Sequence, residues 1–563
     1  MTERLGPLPV VNHFLARLDL EAGLQRHVPR RDARTPMEPA RALGVLLRSI
    51  VVEREPIYRQ HETVRAFAPA SFGLTPREAE ALRDDAVGRA LDRLFDADRG
   101  ALLTEVVVSL RRRFRLALDE LHNDSTSVRF TGQYRAARGR RMRGRRAPWI
   151  TYGFSKDHRP DLKQLLYVLT TTRDGGVPVH FRCGDGQTSD ATTHIETWET
   201  LRAVAGRADF LYVADSKLCT MDNLAYLDHH GGRFVTVLPR SRGEDAEFRE
   251  WIQTRTPAWE LAVDRPHPRR RDGPRDRWWV FRHPIPSQEG WPVVWVRSDL
   301  LELAQQASRR ERIARALQAL EELEGRLARG RSRLRTPADV KQAVEARLAP
   351  LGVRRYVDVQ LKAEAEHRYV QAAPGRPGPG TRYRRTTKHR LALGWTVDEA
   401  AIAYDHKSDG MYPLLTNDRS LTPQQVLEAH KRQPQIEKRF AQLKDVHEIA
   451  PVFLKNEGRI EAFFLVYFLA LLVQALIERE IRRRMEREGI AELPLYPEER
   501  ACHRPTTEQI LRLFGSLERH RLYRGERLVE VFEPALTDLQ TEVLRLLGVP
   551  ASTYRLATRT GRE

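Results

Sequence analysis

Lysine is scarce in this chain of 563 residues: 11 Lys stand against 84 Arg. Cysteine is scarcer still, with Cys183, Cys219 and Cys502 too far apart for a zinc motif and too few for a disulfide framework. That reads as a reduced, intracellular chain. The N-terminus, MTERLGPLPVV, lacks the basic-then-apolar order of a signal peptide. Long apolar runs are also missing. The longest, residues 462–477, has 16 residues including Gln474, short of the roughly 20 a spanning helix needs, so it reads as a buried helix.

What is present is positive charge. Lys and Arg total 95 against 76 for Asp and Glu, a formal net charge of +19. A GC-rich genome would explain Arg in place of Lys but not the excess itself. Such a balance favours a polyanionic partner, nucleic acid before acidic membrane. Apolar residues at 41% are ordinary for a globular protein, and the length allows two to four domains.

Along the chain, residues 1–115 read as helical, with Asp85 a candidate N-cap, and suit a DNA-binding domain. Residues 116–242 alternate. Strands are expected at 121–130, at 164–172 and 177–183 around the turn RDGG, at 210–215 (FLYVAD) and at 234–238, with helices after 193 and 221. Three meandering strands, then helix, strand, helix, strand, is the order of a ribonuclease-H-like sheet, in which the first and fourth strands lie side by side. The fold class expected is therefore α/β, a ribonuclease-H-like mixed sheet interrupted by an α+β insertion at 243–408. The catalytic fold resumes at 409–460, and 461–563 form a helical C-terminal region. In the insertion, Ile313, Leu317, Leu320, Leu327 and Leu334 share a helical stripe that could be core or a coiled-coil-like seam for self-association.

Three acids stand out. Asp124 lies on the first strand, Asp215 ends the fourth, and Glu437 sits on a helix beginning at Pro434. Phosphodiester cleavage needs an activated oxygen nucleophile and charge stabilisation at the leaving oxygen. Two Mg²⁺ ions held by carboxylates on rigid elements supply both. Lys444, two helical turns beyond Glu437, can address the same extended ligand. Residues 134–148, YRAARGRRMRGRRAP, hold seven arginines and no apolar period, and read as a phosphate-gripping loop that includes Arg140 and Arg141. Asp190 reads as a helix cap, Asp119 and Asp185 as surface acids.

The segments NDSTSV…GQY, YGFSKDHRPDLKQ, GDGQTSD, VADSKLCTMDNL, FVTVLPRSR and HKRQPQIEKRFAQLK resemble bacterial DDE-type insertion-sequence transposases, in the group with a long insertion and a Tyr-Arg-Glu-Lys signature. The resemblance runs over about 8–480 and is strongest in 119–242 and 409–460. It implies Asp124, Asp215 and Glu437 as the catalytic, metal-binding triad, two Mg²⁺ per site with Mn²⁺ as substitute, and Lys444 on terminal DNA. His430 and Gln433 stand where the signature has Tyr and Arg, and both can still reach phosphate. Lys217, Arg240 and Arg242 are further candidate DNA contacts. The implied activity is binding of terminal inverted repeats, cleavage of element ends and transfer of the 3′-hydroxyl to target DNA by a homodimer, in the bacterial cytoplasm on the nucleoid, without membrane. Alternatives are a nuclease of the same fold without strand transfer, and a domesticated DNA-binding protein that has lost catalysis.

Overall fold

The computed structural model describes residues 1–29, 37–267, 272–329, 334, 336–449 and 454–555. The chain forms two compact units. One holds Met1–Thr236, Thr416–Asp418 and Glu428–Glu563; the other holds Val237–Leu415 and Arg419–Leu427.

In the first unit, strands β1 (Glu120–Phe130), β2 (Lys163–Thr172), β3 (Pro178–Gly184), β4 (Leu211–Ala214) and β5 (Arg233–Val237) lie in the order β3-β2-β1-β4-β5. β1 pairs antiparallel with β2, and β2 with β3, across a turn in which Gly175 and Gly176 take φ of +79° and +58°, the left-handed region open to glycine. β1 then pairs parallel with β4, and β4 with β5, through crossovers carrying the helices His194–Ala205 and Met221–His229. First and fourth strands are neighbours, as the ribonuclease-H-like order requires.

The 32-residue helix Glu457–Glu488 is the centre of this unit, and 462–477 falls within it. It is long and apolar enough to cross a membrane, yet most of its apolar window is buried by the protein itself. Phe464 meets Phe130 and Tyr167, and Phe468 stacks on Phe181, so the helix seals one face of the sheet. The N-terminal helices Pro39–Val52 and Asp84–Asp96 and the C-terminal helix Asp538–Leu547 pack on it too. The N-terminal helices are thus part of this first unit and form no compact unit of their own. Asp85 is not a cap: Arg83 holds that position, and Asp85 lies in the first turn, paired with Arg89.

In the second unit, β6 (Glu260–Arg265), β7 (Asp276–Arg282), β8 (Val293–Ser298) and β11 (Met411–Thr416) form an antiparallel array, β11-β8-β7-β6. The helix Asp299–Ala328 follows, ending before Leu334. Its stripe, Ile313, Ala316, Leu320, Leu323 and Leu327, is buried with Val340, Val344 and Leu348 of the helix Pro337–Leu348. The coiled-coil reading therefore fails, because the stripe is internal core. From that core a long hairpin emerges, β9 (Val357–Gln371) with β10 (Tyr383–Val397), rooted by buried Val357 and Leu393. The sequence reads as two short strands where the structure has one of 15 residues.

Candidate active site

The parallel pairing of β1 with β4 ends at Asn123 opposite Ala214, so the next residues, Asp124 and Asp215, come side by side. Asp215 is fixed by its own turn: its carboxylate accepts the Lys217 N–H at 3.0 Å, and its carbonyl accepts the Thr236 hydroxyl at 2.7 Å. Burial pushes the Asp124 carboxyl up to about 6, with repulsion from Asp215 and Asp190 adding to it against the pull of Lys156. Burial, with Asp190 nearby, raises Asp215 as well. Both carboxylates are therefore uncomfortable as anions and gain from a cation between them.

Lys156 brings a cation to Asp124 from the side of Asp190. Its ammonium stands 3.5 Å from Asp124 and 2.9 Å from Asp190, and donates to the carbonyl and hydroxyl of Ser125 at 2.6 and 2.8 Å. Asp190 also accepts the Ser125 hydroxyl at 2.8 Å. Asp190 is thus a member of the acidic cluster and not a cap: Ser189 holds the capping position, with no side-chain bond. Thr193 and Glu196 have the spacing of a capping box, but no such box forms, and the Thr193 hydroxyl donates to the Asp190 carbonyl at 2.8 Å. The signal for Asp190 was available, since it lies in GDGQTSD, one of the segments that carry the resemblance.

Two glycines explain why these loops meet. A Cβ on Gly153 would come within 1.9 Å of the Gly186 carbonyl, and one on Gly186 within 2.2 Å of the Gln164 carbonyl. The amide of Gln164 joins both loops, donating to the carbonyls of Phe154 and Gly186. Lys156 and Asp190 are carried to the site by this close approach, which only glycine permits. Asp185 is no loose surface acid: it accepts the Trp149 N–H at 2.9 Å and pairs with Arg146. Asp119 is exposed, as expected.

Glu437 lies on the helix Pro434–Ala441, which packs against β1 and β2 and buries Ile436 and Phe440. Anchors flank it. Before the helix, Arg432 pairs with Glu120 at 3.0 Å, and Gln433 takes His122 on its oxygen and the Asn123 carbonyl on its nitrogen, both at 3.1 Å. Beyond Glu437, Arg439 reaches the carbonyls of Gly175 and Gly176 and the buried Glu478. Glu437 itself is exposed. Among the described residues, no three His, Cys, Asp or Glu side chains are close enough to hold an ion. The carboxylate chemistry suits a hard divalent cation at Asp124 and Asp215, and Glu437 stands apart from that pair.

Gln433 is buried with both ends engaged inside the protein, which makes it a latch to the strand of Asp124 and not a phosphate contact. Burial drives His430 down to about 4, so it is a neutral ring at neutral pH. Lys444 sits on the wide helical turn Gln442–Val446 and pairs with Asp157 at 2.8 Å, beside Lys156 in sequence. Lys217 is exposed. Arg140 grips the buried Glu457 through two bonds of 2.9 and 3.1 Å, whereas Arg141 is exposed on a short hairpin (Arg141–Met142 with Arg145–Arg146). Arg240 and Arg242 belong to the second unit; Arg240 is exposed, and Arg242 is tied to Glu244 and Glu289.

A family model described as a transposase DDE domain matches residues 119–473, from the root of β1 into the central helix. The chain belongs to the DDE transposase family. No curated protein matches it. Within this DDE domain the two strand acids and the Glu437 helix occupy one unit, and the second unit interrupts the sequence between them.

Proposed function

We propose that this transposase binds the terminal inverted repeats of its own element as a homodimer, cuts the DNA ends, and joins the freed 3′-hydroxyl to target DNA. Asp124, Asp215 and Glu437 would be the catalytic acids. The observation that carries the reading is the juxtaposition of Asp124 with Asp215 on neighbouring strands, both raised by burial, with the Glu437 helix latched to the strand of Asp124.

Divalent metal bound here, Mg²⁺ or Mn²⁺, would activate the attacking oxygen and neutralise charge on the departing one. Asp124 and Asp215 would hold it, and Glu437 would complete the set when DNA seats. Lys156 keeps the unliganded acids from repelling one another and can move to a phosphate oxygen as cation replaces it. Lys444, held by Asp157, is poised on the same side for terminal DNA. Tyr152 and Phe154, exposed beside Lys156, offer rings on which an unpaired base can stack. The setting is the cytoplasm, on nucleoid DNA.

The test uses purified protein, Mg²⁺ and DNA carrying both boundaries of the gene, with strands mapped at nucleotide resolution. Cuts at inverted-repeat ends, joined products, and loss of both in Asp215→Asn are expected. Cuts without joining would leave a nuclease, and binding without cuts in either protein would leave a domesticated DNA-binding protein.

A further inference from the structure

Beyond its root, the β9–β10 hairpin leaves the core of the second unit with both faces exposed. Residues 367–387 contain Arg368, Arg376, Arg382, Arg384 and Arg385, two tyrosines and no acid. Among the described residues none of those five arginines makes an ion pair, although nearby Arg354 and Arg355 do. Tyr369 and Tyr383 are 62% and 52% exposed, unusual for rings with no assigned partner surface.

The register sorts these side chains. Tyr369 faces Arg385 across the ladder and Gln371 faces Tyr383, so these four share one face of the ribbon. Arg368 lies opposite Thr386 and Val370 opposite Arg384, which puts Arg368 and Arg384 on the other face. At about 3.3 Å per residue, the ten residue pairs from 362 to 371 span about 30 Å, close to one turn of B-form DNA.

We propose that this hairpin is a DNA-binding arm, a two-stranded ribbon that lies along a groove of duplex DNA. The major groove is wide enough for such a ribbon. Arginines on both faces would meet phosphates, while Tyr369, Gln371 and Tyr383 bring rings and an amide to the groove. Charge complementarity selects the partner: a stretch with five cations and no anion suits a polyphosphate over an acidic protein patch of mixed polarity. The proposal rests on the transposase reading only for which DNA the arm meets.

The test measures fluorescence anisotropy of the full-length protein on a 30-bp random duplex and on an end-containing duplex, across a salt series. The variant Arg368→Ala/Arg384→Ala/Arg385→Ala is compared with wild type, and a second variant replaces 367–387 by a short turn. The triple variant is expected to bind both duplexes at least about tenfold more weakly and to lower the slope of log K against log salt by about 3. Melting should stay as in wild type, because none of these residues touches the core. Unchanged affinity and slope in both variants would overturn the proposal. So would a loss of dimer with DNA binding intact, which would make the arm a contact between copies. The transposase reading fails separately, if wild-type protein binds through the arm yet never cuts its own ends.

Discussion

Two arginine-rich stretches of this chain have opposite fates. In residues 134–148, Arg140 is clamped to Glu457, Arg143 to Asp92 and Asp96, and Arg146 to Asp185. In residues 367–387, five arginines stand in water along the part of the hairpin that holds no acid. By composition the first looked like the phosphate-gripping arm; in the fold, three of its arginines fasten a loop to the catalytic unit. The lesson is that arginine density does not locate a nucleic-acid surface. What matters is whether the fold brings acids to those arginines, and the acids that do so here lie 39 or more residues away in sequence.

The same contrast orders the substitutions. The largest effect is expected where charge is held for chemistry: Asp215→Asn should lower end cleavage by about 10³-fold or more while leaving DNA binding intact, read by single-turnover assays. Next comes Gln433→Leu. It removes the latch on Asn123 and His122, costs about 1–3 kcal/mol in chemical denaturation, and should slow cleavage by at least about tenfold because Glu437 loses its register. Arg140→Ala sharpens the comparison directly. It leaves Glu457 buried without its partner, so it should lower stability by about 1–2 kcal/mol, moderated because Arg140 is half exposed, with no change in salt slope. The arm variants should do the reverse.

Acid offers a further handle on the catalytic unit. Burial holds His180, His194, His430 and His447, all in that unit, at about 4 against an ordinary 6.5. Each is neutral when folded and protonates more readily when unfolded. Their contribution is therefore full above pH 6.5 and lost as pH falls from there through 4. Asp124 works in the opposite sense. Raised to about 6, it favours the fold fully below its ordinary 3.8 and loses that contribution as pH rises through 6. Metal-free Asp124→Asn should therefore be more stable than wild type at pH 8, by on the order of 1–3 kcal/mol, with the gain vanishing below pH 4. Melting across pH 4–8 checks both signs.

Much of the architecture was legible in sequence because local pattern and topology agreed. β1 through β5 fall within a few residues of their expected positions, and the GG turn, the buried helix and the interruption of the catalytic fold were all readable. The positions of Asp124 and Asp215 followed from strand order alone. What sequence could not give was long-range commitment. Asp190 reads as a cap until Gly153 and Gly186 are seen to press its loop against that of Lys156. Gln433 reads as a DNA contact until Asn123 and His122 take both ends of its amide. The root of the arm was legible, because Val357, Val359 and Leu361 alternate with Asp358, Gln360 and Lys362; its full length was not, because the alternation stops beyond residue 366 while the pairing continues to Gln371.

The most direct measurement is anomalous scattering from Mn²⁺ in crystals of the protein bound to its cleaved element end. The account predicts density against the carboxylates of Asp124 and Asp215, with Glu437 drawn toward it and the 3′-hydroxyl adjacent. Mn²⁺ bound elsewhere, with Lys156 still paired to Asp124 and Asp190 while the DNA end is engaged, would contradict it.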